Sequence, residues 1–408
     1  MKILLANTLY APNLIGGAEK SVQHLAESLS VRGHEVLVVS LSANGLNEES
    51  TLNGVHRTFV RTPNLYYPFN QPWYGKITKP YWHFLDSYNR KTELLFDFLI
   101  GCRRPDVVHT NNLLGFSTSI WNAAKKYNIP VVHTVRDYYL LCPRSTMFKN
   151  GSRCSTVCKS CKPFARRKCA NIHNVNALIG VSKKIVQLHA ESMSELPEIC
   201  DHVYNGIDLS RKFEFQRKKS SGGIRLGFLG RISPEKGLEF LLLALKKLTI
   251  PVRLLVGGGI DSATAKKMRS IASNVNIDFM GYVKPETIFQ EVDYLVVPSL
   301  WNEPFSRVII EAYAYGVPVV ASDRGGIGEI VRDGETGYIF DPESIDSAVS
   351  AIWKAFKALG NWQDLSKNSS EYSKQFDLNV ATGSYLKIYD EVIGRRRRLH
   401  SPGSLVTP

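Results

Sequence analysis

Two carboxylates, Glu303 and Glu311, lie eight positions apart in the stretch Pro298-Ser-Leu-Trp-Asn-Glu-Pro-Phe-Ser-Arg-Val-Ile-Ile-Glu-Ala-Tyr-Ala-Tyr-Gly316. A carboxylate only accepts hydrogen bonds, and each can take two hydroxyl donors. The pattern predicts a strand ending at Val297, a loop, a short helix and a second strand over residues 318–321. Pro304 suits the first helical position, where its missing N–H costs nothing. Gly316 suits the C-terminal cap, and Pro318 prevents continuation. The N–H groups of Phe305, Ser306 and Arg307 would then face the loop with the helix dipole behind them, an anion site. Eight helical residues rise roughly 12 Å. Carboxylates flanking an anion site suit a ligand with hydroxyls at both ends and phosphate between, the layout of a nucleotide sugar. Glu-x7-Glu alone is frequent by chance and would describe an ordinary amphipathic surface helix. Pro298-Ser299 before it and Asp323-Arg-Gly-Gly-Ile-Gly-Glu329 after it favour the functional reading.

Cations stand at a second strand end, in Gly230-Arg231-Ile-Ser-Pro-Glu-Lys236-Gly237. A departing nucleoside diphosphate gains negative charge, which fixed cations stabilise in the transition state. The chain contains no Asp-x-Asp to hold a metal for that purpose. Arg231 and Lys236 in place of a metal is the consistent reading, although two cations in a loop are ordinarily solvated surface.

The first half carries Gly16-Gly17-Ala18-Glu19 between a strand and a helix, where glycines let backbone approach a phosphate. A dinucleotide-binding dehydrogenase would need Gly-x-Gly-x-x-Gly and an acidic residue ending the second strand. That strand ends in Ser40-Leu41-Ser42, so the dehydrogenase is disfavoured. Asp106-Val-Val-His109-Thr-Asn111-Asn112 and Val131-Val-His133-Thr-Val-Arg136-Asp137-Tyr138 place further polar groups at strand ends. A histidine so placed is as often a satisfied structural residue as a functional one.

Taken together, these motifs resemble the retaining glycosyltransferases of family 4, most strongly over residues 227–340. The resemblance implies a GT-B fold: α/β, with two doubly wound Rossmann-like domains facing across a cleft. It implies a hexosyl transfer from a UDP- or GDP-linked sugar to a glycan or lipid-linked acceptor, in cell-surface polysaccharide assembly, by a front-face substitution. Catalytic roles then fall to Glu303, Arg231, Lys236, His133, Arg136 and Asp137. Donor binding falls to Gly16, Gly17, Asn205, Val283, Phe305, Ser306, Arg307 and Glu311. No cofactor is required for catalysis. The family commonly has His directly before the Asp of the last first-domain motif. Here Arg136 stands there, with His133 three residues earlier, which suggests an anionic group such as an acceptor phosphate.

The elements that must position these residues alternate along the whole chain. Strand-like runs over residues 2–7, 35–41, 106–110 and 129–134, with a helix over 18–32, predict parallel βαβ units. A second series follows at 224–230, 252–256, 277–280, 294–297 and 317–321. Ligand sites of such domains lie at the carboxyl ends of the strands. The expected division is an acceptor-side domain over 1–209, a linker over 210–223 and a donor domain over 224–376. A helix over 377–394 would cross back to the first domain, and a basic tail over 395–408 would be disordered.

At 408 residues, 44% hydrophobic and 22% charged, the chain reads as a soluble globular protein of two domains. No apolar run is long enough to span a bilayer, so a cytoplasmic enzyme is expected, peripheral on the membrane's inner face. The net charge of +14 calls for an acidic partner or surface. No helix-turn-helix, RNA-binding signature or zinc-finger spacing favours nucleic acid. Residues 66–84 interleave aromatics with lysines, which suits a membrane interface, an acceptor pocket or simple packing. Five cysteines, Cys142, Cys154, Cys158, Cys161 and Cys169, make an insertion spaced either for a structural metal or as unconnected thiols. Two alternatives stand beside the transferase. A GT-B nucleotide-sugar epimerase would need no acceptor, and a non-catalytic nucleic-acid-binding protein would use the basic insertion.

Overall fold

The computed structural model describes residues 1–210 and 222–399. Residues 211–221 of the expected linker and 400–408 of the expected tail lie outside the described residues. The chain divides into two compact units. The first holds Met1–Met147, Ser155–Gly206 and the chain from Leu378 onward; the second holds Phe148–Cys154 and Ile207–Asp377.

In the first unit the strands are β1 (Lys2–Ala6), β2 (Glu35–Leu41), β3 (Glu48–Leu52), β4 (Val55–Val60), β5 (Val107–Thr110) and β6 (Val131–Val135). A two-stranded hairpin follows, β7 (Phe148–Lys149) with β8 (Ser152–Arg153), and belongs to the second unit. The first sheet resumes with β9 (Ala177–Gly180) and β10 (Ile199–His202), giving the order β10-β9-β6-β5-β1-β2-β4-β3. Every pair is parallel except β3 with β4, which turn at Asn53-Gly54 with φ of 50° and 77°. Asn-Gly with both residues left-handed is the turn whose twist matches a hairpin. Its strand β3 is exposed along most of its length and β10 largely so, which explains why neither shows an apolar run in the sequence.

The second unit's sheet comprises β11 (Ile224–Leu229), β12 (Val252–Gly257), β13 (Asn276–Gly281), β14 (Tyr294–Val297), β15 (Val319–Ser322) and β16 (Gly337–Phe340). The order is β13-β12-β11-β14-β15-β16, all parallel, the doubly wound arrangement. Its core joins Leu226, Leu254 and Val296 to Leu241, Leu245 and Ile352 of the covering helices. The strand order reverses between β11 and β14 here, and between β1 and β5 in the first unit. Loops leaving a sheet on either side of such a reversal part company and leave a crevice.

The last helix, Leu378–Leu399, packs Ala381, Tyr385, Tyr389 and Val392 into the first unit's core with Val22, Leu25 and Val38. His109 anchors it: Nδ1 meets the Tyr389 hydroxyl and Nε2 the Thr134 hydroxyl, both at 2.7 Å. This histidine is therefore structural, and burial holds its pKa well below the ordinary value. The helix also corrects the expected disorder from residue 395. It continues through the four arginines because Arg395 pairs with Glu391 one turn back at 2.7 Å and with Glu198 at 2.9 Å. Cations also suit the negative end of a helix dipole. Among the described residues, no helix is long and apolar enough to cross a membrane.

Candidate active site

In the second unit, the loops after β11 and β14 are locked together. Gly237 has φ +73°, and a Cβ there would lie 1.9 Å from the Pro298 carbonyl oxygen. Only glycine permits that approach. The Leu300 N–H also donates to the Glu235 carbonyl at 2.9 Å. Lys236, at the end of the 3₁₀ turn Pro234–Lys236, is thereby delivered to Glu303, with Nζ 2.7 Å from Oε2. Trp301 Nε1 donates to the same oxygen at 2.9 Å and Ser299 Oγ at 3.1 Å. Three donors fall on Oε2, and among the described residues Oε1 has no hydrogen-bond partner. From the other side Gly326 N–H donates to the Glu303 carbonyl at 2.7 Å. Neighbouring Gly325, at φ +60°, has no room for a Cβ, which would sit 2.2 Å from that carbonyl oxygen. The Gly-Gly loop after β15 thus clamps the backbone of Glu303.

The helix after the Glu303 loop, between β14 and β15, runs Arg307–Ala314 with Ser306 as its N-cap, so the expected start at Pro304 is displaced by three residues. Phe305 is the physical cause. Its ring turns inward, 7% exposed, edge-on to Phe376 with centroids 6.1 Å apart, which holds the preceding residues off the helical path. Gly316 ends the helix at φ +66° as expected. Only Glu311 of the two carboxylates lies on the helix, where Oε1 accepts from Arg307 Nε at 2.7 Å. Its Oε2 has no partner among the described residues. Arg231 stays largely exposed beside Glu235, 3.5 Å away. Val283 is partly buried just beyond β13 and packs towards Gly257, the last residue of β12.

In the first unit, Gly16 caps the helix Gly17–Val31, and its N–H donates to the Glu19 carboxylate at 2.8 Å. Both glycines are exposed. Arg136, beyond β6, is 7% exposed and held by two amide oxygens, Asn111 Oδ1 at 2.8 Å and Asn205 Oδ1 at 2.6 Å. This brings together the ends of β5 and β6 with Asn205. His133 lies on β6 beneath them, 2% exposed, edge-on to Trp121 and bonded through Nδ1 to Thr110 Oγ1 at 2.9 Å. Burial, with His189 and Arg136 nearby, lowers its pKa to about 3, so its ring is neutral at pH 7.

Asp137 follows Arg136 and accepts from the Tyr139 N–H at 2.8 Å. Burial pushes its carboxyl up to about 6, with Glu19 and Asp86 adding to the rise, while the Tyr139 N–H and Lys168 oppose it. The folded state prefers this group protonated, so it takes up a proton between about pH 4 and pH 6. The penalty for the buried charge is absent below that window and complete above it, on the order of 3 kcal/mol. Asp137→Asn keeps the acceptor oxygen and loses the charge. Its melting temperature relative to the parent's is expected to climb by a few degrees between pH 4 and pH 7, and a constant difference across that range refutes the assignment.

In the cysteine-rich insertion, Cys161 stands in thiol contact with Cys142 and Cys158, and burial with these neighbours pushes it up to about 12. Cys169 lies apart, its thiol against the Leu140 carbonyl at 3.9 Å. Among the described residues, no group of three or more His, Cys, Asp and Glu side chains is arranged to hold a metal ion.

The structure thus gathers Lys236 and Glu303 in one unit, and Arg136, Asp137 and Asn205 with the Gly16 loop's Glu19 in the other. It buries His133 below its strand end. Trp301, which orients Glu303 together with Ser299, was not singled out by sequence reasoning, whereas Ser299 and Asn111, which orients Arg136, stood in the motifs without a role. The signal of Trp301 was position alone: it sits two residues before Glu303, just past a strand.

Comparison with known proteins agrees with this layout. The family model Glycosyltransferase Family 4 matches residues 15–211, and Glycosyl transferases group 1 matches residues 210–376. An uncharacterized 42.6 kDa protein in the cps region of Klebsiella pneumoniae is 34% identical over 391 residues, 95% of this chain and all of that one. Among solved structures, the chain resembles sucrose-phosphate synthase from Thermosynechococcus elongatus, with TM-score 0.76, 19% identity and coverage of 97% and 99% of the two chains. It also resembles Anabaena HepE in complex with UDP-glucose, with TM-score 0.69, 17% identity and coverage of 96% and 100%. The fold is that of the GT-B enzymes. The chain belongs to the family 4 glycosyltransferases and is a glycosyltransferase enzyme.

Proposed function

We propose that this glycosyltransferase draws its sugar from a nucleoside diphosphate and passes it, with retention, to a glycan or lipid-linked acceptor in cell-surface polysaccharide assembly. The observation that carries this reading is the Lys236–Glu303 pair at the strand reversal of the second unit, with one carboxylate oxygen saturated and the other open. Oε1 of Glu303 accepts a hydroxyl of the sugar. Glu311, set further along its helix and steadied by Arg307, accepts the ribose hydroxyls. Lys236 and Arg231 lie against the diphosphate as the bond from the anomeric carbon to its oxygen breaks. That bond is replaced on the same face by one to the acceptor oxygen, whose proton passes to the departing phosphate. HepE is a structural relative solved with UDP-glucose, which favours UDP among the donors. The Klebsiella relative's place in a cps region favours a polysaccharide acceptor. In the first unit, Arg136 and Asp137 are the groups offered to the acceptor, Arg136 suiting an anionic substituent.

The assignment is tested by measuring UDP, GDP and their sugars against the parent and Glu311→Ala. Unpaired ribose hydroxyls in a closed site cost about 1–3 kcal/mol, so binding should weaken roughly tenfold. Equal affinity of parent and variant for every nucleotide would remove Glu311 from the ribose site.

A further inference from the structure

One face of the first unit is apolar and basic without a role in the chemistry above. The helix Gly75–Ser87 buries Trp82 and Asp86 towards the core. Its opposite side leaves Ile77 83%, Tyr81 57% and Phe84 45% exposed, and Trp73, in the turn two residues ahead of the helix, is 90% exposed. Spacings of four and three place Ile77, Tyr81 and Phe84 on one helical stripe, with Trp73 in the turn before it. Such a stripe normally faces a core, and here it faces outward. Lys76 and Lys79 are exposed on the same helix. Alongside runs the insertion helix Lys162–Cys169, which lays the Arg167 guanidinium 4.0 Å over the Phe84 ring and exposes Arg166.

The charge balance names the partner. No acidic residue occurs between Glu49 and Asp86, or between Asp137 and Glu191. Asp86 itself is fully buried beside Lys168, 3.5 Å away. The face therefore offers an aromatic and aliphatic ridge rimmed by cations with no carboxylate from either segment. A protein partner would have to supply an apolar groove with acidic edges. A bilayer of anionic lipid supplies hydrocarbon under negative headgroups everywhere. A helix of 13 residues is too short to span a bilayer and suits lying in its interface.

We infer that the protein docks on anionic membranes through this face, with Trp73, Ile77, Tyr81 and Phe84 entering the headgroup boundary and Lys76 and Arg166 meeting lipid phosphate. The inference does not rest on the donor or acceptor assigned above, and its readout is vesicle binding rather than activity. The full chain should co-sediment with vesicles of phosphatidylcholine mixed with phosphatidylglycerol and not with phosphatidylcholine alone. Lys76→Glu with Arg166→Glu should weaken binding about fivefold for every unit of charge changed, and added salt should act the same way. Trp73→Ser with Ile77→Ser should weaken it at least about tenfold at constant charge. Both exposed side chains can be lost without disturbing the core. Failure of the parent to bind anionic vesicles at low salt would overturn the inference. So would unchanged binding by the Trp73 and Ile77 double variant, or a preference for nucleic acid that those substitutions leave intact.

Discussion

Glu303→Gln is expected to lower kcat/KM for sugar transfer by about 10²–10³-fold while the protein remains folded. The carboxylate is 6% exposed, and one oxygen receives Lys236, Trp301 and Ser299 together. An amide of the same shape can still accept from a neutral donor. It cannot balance the Lys236 charge, and its NH₂ must face a donor at one position. Removing one member of a buried, hydrogen-bonded charge pair leaves the other uncompensated, which is costlier than the pair is favourable. Lys236 then swings or loses its alignment, and the acceptor for the sugar hydroxyl is lost with it. Steady-state kinetics on the purified enzyme, with calorimetric melting as the check on folding, measures this directly. A variant transferring sugar at the parental rate would remove Glu303 from the site.

Lys236→Met should match that loss in kcat with a smaller change in nucleotide affinity, because the cation's work falls mainly on the leaving diphosphate. Methionine keeps most of the stem that lies by the Trp301 ring, so packing changes little. The same role predicts that turnover persists in EDTA, with Lys236 and Arg231 supplying the charge that enzymes with Asp-x-Asp obtain from a divalent ion. Activity abolished by chelation and restored by magnesium or manganese would overturn this account. Full activity of Lys236→Met would leave the leaving-group charge to Arg231 alone.

Much of the local order was written in the chain. β2 and β14 coincide with their apolar runs, because strands covered on both faces are hydrophobic without interruption. Gly316 announced the end of its helix, and Lys236 and Glu303 stood out as charges placed directly after strands. The exposed strands β3 and β10 carried no such run. The helix start at Arg307 was illegible because it depends on Phe305 finding Phe376, a contact across 71 positions of sequence.

By itself, then, the sequence determined the class of fold, the strand-end positions of the charged groups and the family to which they belong. Periodicity and loop chemistry are local, and parallel sheets place such loops at one end by rule. Only the tertiary structure decided which of these groups meet. It bonded Lys236 to Glu303 across 67 residues and seated Arg136 between Asn111 and Asn205. It also withdrew His133 into the core and turned the Trp73–Phe84 ridge outward. The physical reason is that burial and hydrogen-bond partners belong to the packed chain, where residues distant in sequence share one low-dielectric space.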